Sequence, residues 1–71
     1  MSSTDLSWLK QGQQHLQQGD PAAALEYFAQ AVVTDPQNAE AWYKKGNALY
    51  ALRRYDEAVD SYGQALNIRP D

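Results

Sequence analysis

Three observations predict an all-α chain, built as an α-solenoid of two antiparallel helix–turn–helix repeats. The first is internal similarity. Shifting the 71-residue chain by 34 positions places Trp8 on Trp42, Lys10 on Lys44, Gly12 on Gly46, Ala24 on Ala58, Gln30 on Gln64, Ala31 on Ala65 and Pro36 on Pro70, with no gap. Phe28 falls on Tyr62, Leu25 on Val59 and Val32 on Leu66. A fixed period of this length marks stacked supersecondary units. The second is composition: alanine, glutamine and leucine are abundant and runs of β-branched residues are nearly absent, which favours helix. The third is punctuation, with Gly, Asp, Asn and Pro placed where one helix must stop and the next begin.

The punctuation sets helices near 5–18, 21–34, 39–52 and 55–68. In "QQGDPAAALEYF" Gly19 suits the left-handed residue that ends a helix. Asp20 can then cap the second helix, and Pro21 sits in its first turn, where a missing N–H costs nothing. In "TDPQNAEAW" the second helix ends before Pro36, Asn38 caps the third, and Glu40 lies in a first turn that favours acids. "LRRYDEAV" divides the second unit with charge instead: Arg53 and Arg54 lie at a helix C-terminal end, and Asp56 and Glu57 in the first turn of the next. Residues 1–4 are then an N-terminal tail, 5–38 the first repeat and 39–71 the second.

Spacing assigns the faces. Trp8, Gly12 and His15 stand at i, i+4, i+7, as do Trp42, Gly46 and Leu49. Ala24, Phe28 and Ala31 match Ala58, Tyr62 and Ala65 on the second helix of each unit. Each set is one helical stripe. Large residues face small ones, Trp against Ala and Phe or Tyr against Gly, so the paired helices can approach closely.

Trp…Gly…Ala…Phe/Tyr…Ala…Pro, repeated twice over 34 residues, closely resembles the tetratricopeptide repeat family. In the second unit "AEAWYKKGN", "YDEAV" and "AL" carry the resemblance; in the first, "SWLKQGQQHL", "AAALEYFAQAV" and "DP" carry a looser one. It covers residues 5 to 70. Gln11 and Lys45 depart from it, since the family usually has leucine there, and so does His15, which replaces tyrosine or leucine.

The resemblance implies a protein-interaction module whose first helices line a concave groove. Carried onto this chain, the groove stripe is Leu6, Leu9, Gln13, Leu16 and Gln17, then Glu40, Tyr43, Asn47, Tyr50 and Ala51. The expected ligand is a protein or peptide. Asn47 has both a donor and an acceptor for an extended backbone, and Tyr43 and Tyr50 supply apolar area with a polar tip. Lys10 and Lys44 mark the groove edge, where exposed solvated lysines are the ordinary outcome. The basic clamp used by relatives that hold a chaperone's C-terminal carboxylate is not expected, because Leu9, Gln13 and Lys44 replace residues it needs.

The ends of the solenoid differ. Ala41 and Ala48 on the third helix should seat against Leu25 and Val32 on the second. The matching sites on the first helix are Ser7 and Gln14, polar as a capping repeat requires. Val59, Leu66 and Ile68 on the last helix have no cover in this chain. They predict either self-association, as a homo-oligomer, or a chain that continues into further repeats.

Other classes are not expected. With no cysteine and one histidine there is no disulfide, thiolate site or multi-histidine metal site. His15, the sole candidate base, sits on a packing stripe, and no phosphate-cradling glycine loop exists, so no enzyme activity and no cofactor are expected. The net charge of −3 gives no global attraction to nucleic acid. No apolar run approaches the roughly 20 residues that span a membrane, and a cytoplasmic setting is the default expectation.

Overall fold

A computed structural model describes residues 3–70, with side chains described from Trp8 onward. Four helices follow one another: α1 (Ser3–Gln17), α2 (Pro21–Thr34), α3 (Ala39–Ala51) and α4 (Tyr55–Ile68). α1 begins two residues before the expected start, and the other limits agree to within a residue. Neighbours in sequence pack against each other, and α3 also touches α1. The chain is thus two helical hairpins laid side by side.

Local chemistry fixes the helix ends. The Asp20 carboxylate accepts from Ala23 N–H at 3.2 Å, with Pro21 at the first helical position. The Asn38 side chain accepts from Glu40 N–H at 3.0 Å and Ala41 N–H at 3.3 Å. These bonds satisfy donors that have no partner within the helix. α4 has no side-chain cap on its N–H groups. Instead Arg54 donates twice to the Glu57 carboxylate, at 2.8 Å each. Those hydrogen bonds hold the Glu57 carboxyl below, and the Arg54 guanidinium above, their ordinary ranges.

The turn inside each hairpin has one design. Gly19 has φ +81°, its N–H reaches Leu16 O at 3.1 Å, and Asp20 N–H reaches His15 O at 2.9 Å. Arg53, its counterpart, has φ +63°, with Arg53 N–H to Tyr50 O and Arg54 N–H to Leu49 O, both at 2.9 Å. This pair of backbone bonds closes a helix only through a left-handed residue. The first repeat uses glycine there, and the second uses arginine.

Ring against glycine closes each hairpin, as the spacing predicts. A Cβ added to Gly12 would lie 2.7 Å from Phe28 Cδ1, and one added to Gly46 would lie 2.7 Å from Tyr62 Cδ1. The core joins Leu9, Ala24, Phe28, Ala31, Val32, Ala41 and Ala48, with Trp8, Leu16, Leu25 and Trp42 packed around it. Ala41 and Ala48 are fully buried. Their small side chains let α3 settle onto the Leu25–Val32 side of α2, where larger ones would force the helices apart.

Candidate functional site

The expected groove residues divide into three environments. Tyr43, Asn47 and Tyr50 stay together on α3, and there they meet two tyrosines from α4. The rings of Tyr43 and Tyr62 lie 5.7 Å apart at 46°, and those of Tyr50 and Tyr55 lie 5.3 Å apart, edge to face. Such tilted pairs suit the ring quadrupoles. Tyr43, Tyr50 and Tyr55 are more than half exposed, at 54%, 61% and 51%. Between the pairs, Tyr62 O–H donates to Asn47 Oδ1 at 2.6 Å. Burial pushes the Tyr62 phenol up, with Tyr43 and Tyr50 adding to the effect. The neutral, donating form is therefore the one this setting favours.

The Tyr43–Tyr62 pair also forms one wall of an open groove of about 590 Å³. Ala39, Glu40, Ala65, Leu66 and Arg69 complete its lining, whose one acid and one base leave it without net charge.

Gln13 and Lys44 form a second environment. Lys44 Nζ donates to Gln13 Oε1 at 2.9 Å and lies 3.9 Å from Glu40 Oε2, with its side chain only 22% exposed. Lys44 is thus a bridge between α1 and α3, not the solvated lysine expected from its type, whereas Lys10 is exposed. Leu9 forms the third environment and corrects its groove assignment: it is 8% exposed and belongs to the core. The reason is the neighbour. α3 packs beside α1 and closes over the first hairpin, and among the described residues no further helix beyond α4 does the same for the second. Leu16 is likewise partly buried against the core. The Leu6 and Ser7 side chains lie outside the described residues.

Two residues that departed from the family pattern have partners. Lys45 places its ammonium 5.2 Å from the centre of the Trp42 ring, so stem and charge both use the indole face. The indole N–H donates to Pro36 O at 2.9 Å. His15 stacks on Tyr27 at 5.3 Å and 9°, in the half-buried packing role its stripe predicts. Its Nδ1 is buried without a partner. Among the described residues no group of three His, Cys, Asp or Glu gathers as metal ligands would, and no helix is long and apolar enough to cross a membrane.

Sequence reasoning did not place Tyr55 and Tyr62 beside Tyr50 and Tyr43. The signal was present: Tyr43 and Tyr50 stand seven apart on α3, and Tyr55 and Tyr62 stand seven apart on α4. Equal spacing on antiparallel helices in this register lets the two pairs meet crosswise. At the open end, Val59 is 66% exposed and Leu66 58% exposed, while Ile68 is half-buried.

The profile of the tetratricopeptide repeat family matches residues 9–71. The chain is 30% identical over 63 residues to the human mitochondrial import receptor subunit TOM70, covering 89% of this chain and 10% of that protein. It is 36% identical over 61 residues to the uncharacterized protein MJ0572 of Methanocaldococcus jannaschii, covering 86% and 71%. Against the tetratricopeptide repeat and J domain-containing co-chaperone DNJ1 of Fusarium oxysporum it is 31% identical over 62 residues, covering 87% and 12%. The chain therefore spans only a small part of the human and fungal relatives.

Proposed function

This chain belongs to the tetratricopeptide repeat family of protein-interaction scaffolds, and we propose that it binds a peptide along Tyr43, Asn47 and Tyr50, on a surface that the rings of Tyr55 and Tyr62 extend. The observation that carries this reading is the exposure of the tyrosine pairs: three large rings stay more than half open beside an amide already held in place. Rigid aromatics with polar tips lose little entropy on binding and bury much area. The names of two relatives, an import receptor subunit and a co-chaperone, fit the same use. The reading has no catalytic step.

Selection of a displayed random-peptide library on the chain, followed by ¹⁵N–¹H mapping of a selected sequence, tests it. Shifts at Tyr43, Asn47 and Tyr50 are expected. Tyr43→Ala and Asn47→Ala should each weaken binding while helicity by circular dichroism is kept. Shifts confined to another face would overturn the reading.

A second reading rests on Val59 and Leu66, exposed at 66% and 58% where their counterparts Leu25 and Val32 lie under α3. In it the α4 face, with Ile68, associates with another copy. Sedimentation at high micromolar concentration should then show a dimer that Leu66→Glu abolishes. A monomer unaffected by that change defeats the idea.

A further inference from the structure

We propose that the tyrosine groove takes a proline-containing segment in the polyproline II conformation, with prolines one turn apart against the two tyrosine pairs and Asn47 bound to a backbone carbonyl between them. The proposal rests on the peptide-groove reading and adds the chemistry of the ligand.

Spacing is the first argument. Tyr43 and Tyr50 are seven residues apart on α3, which sets their backbone positions, and so the roots of the two aromatic pairs, about 10.5 Å apart along the axis. A polyproline II chain repeats its face every three residues, about 9.3 Å. A β-strand repeats every two, about 6.7 Å, and its next multiple is about 13 Å. The polyproline repeat matches the site, and the strand repeat falls on either side of it.

Hydrogen bonding is the second, and it separates polyproline from a helix, whose seven-residue repeat would also fit. Tyr62 O–H occupies Asn47 Oδ1 at 2.6 Å. That bond fixes the amide's orientation and leaves Nδ2 as the group offered to a ligand. Among the described residues the Tyr43 and Tyr50 hydroxyls have no hydrogen-bond partner, so they too can donate. The site needs a ligand rich in free carbonyl oxygens. Polyproline II has them, since it makes no internal hydrogen bonds and each proline lacks an N–H. A helix commits its carbonyls to its own N–H groups.

Composition is the third. Tyr43, Asn47, Tyr50, Tyr55 and Tyr62 carry no formal charge, so an uncharged, ring-bearing segment suits them better than an acidic or basic one. Polyproline is also already ordered before it binds, and aromatic-lined grooves exploit that. Tyr62 is a positioning residue here: it holds Asn47 and forms one wall.

The test is an NMR titration with acetylated, amidated decaproline, set against a Gly-Ser peptide and an alanine-rich helical peptide of equal length. Decaproline should shift the Asn47 Nδ2 protons and the ring signals of Tyr43, Tyr50 and Tyr55, and the controls should not. Asn47→Ala and Tyr62→Phe should each weaken binding about three- to tenfold, the loss of one hydrogen bond. Combined, they should weaken it no further than Asn47→Ala alone, the sign that the two act as a unit. Independent, additive losses would remove the positioning role. Equal or tighter binding of either control at the same resonances overturns the polyproline assignment and leaves the peptide groove standing. Ring shifts produced by tetramethylammonium but not by decaproline overturn it in favour of a cation site, and silence from decaproline overturns it outright. Failure of the groove itself would be seen separately, as library-selected peptides that bind elsewhere.

Discussion

Phe28 and Tyr62 hold the same place in their repeats, each ring lying over the glycine of the preceding helix, yet Phe28 is fully buried and Tyr62 keeps a hydroxyl in contact with Asn47 at the groove. The contrast recurs along the period. Leu9 is 8% exposed where Tyr43 is 54%, and Val32 is 5% exposed where Leu66 is 58%. Every pair sits in nearly the same hairpin geometry. What differs is whether another hairpin lies alongside. In a repeat architecture each unit contacts only its neighbours, so the neighbour decides which positions become core and which stay exposed. The side chains follow suit: where α3 covers the first hairpin the residues are Leu, Phe and Val, and where the described residues leave the second open they are Tyr, Tyr and Leu.

Three substitutions test this contrast. The larger effect is expected from the glycines. Gly12→Ala must push Phe28 aside inside a closed core, and the overpacking outweighs the gain in helix propensity, for a net loss of about 2 kcal/mol. Gly46→Ala meets Tyr62 at the same distance, but that ring borders open groove and can swing outward. The helix gain then offsets most of the loss, for a net change under about 1 kcal/mol. Urea unfolding followed by circular dichroism would compare the two, and equal losses would break the account of why they differ.

The smaller effect lies in the hairpin turns. Arg53 adopts the left-handed conformation at φ +63° that Gly19 adopts at +81°. A side chain strains that geometry, and glycine relieves it at some cost in unfolded-chain entropy. Arg53→Gly should raise stability by about 0.5–1 kcal/mol, a thermal midpoint several degrees higher. A lower midpoint would mean that the arginine side chain contributes more than its backbone strain removes.

Much of the fold was legible because it rests on local rules read twice. Asp20 and Asn38 cap and Pro21 opens α2 as their types predict, and the Gly12 and Gly46 contacts follow from a ring meeting a glycine one helix away. The site was less legible, for a physical reason. The 34-residue period treats Leu9 and Tyr43 as equivalent, so a stripe drawn on α1 and copied to α3 assigns one exposure to both. Only packing between hairpins separates them. Tyr55 and Tyr62 were hidden in the same way, since attention to first helices overlooks the wall that second helices supply. Lys45 looked out of place as a missing leucine, and its use of the Trp42 face depends on a partner three residues away that either a leucine or a lysine can cover.

The bridge from Lys44 to Gln13 crosses from one hairpin to the other beside the α2–α3 packing. Its partners are polar and lie on different hairpins, so neither hairpin depends on it to fold. It bears instead on the tilt between them, and in a solenoid a few degrees of tilt per unit compound into the radius of the whole surface. A side-chain contact outside the hydrophobic core thereby joins the apolar packing in holding that tilt. The shape presented to a ligand can then change through polar substitutions at Gln13 or Lys44 that leave each hairpin's melting behaviour nearly untouched.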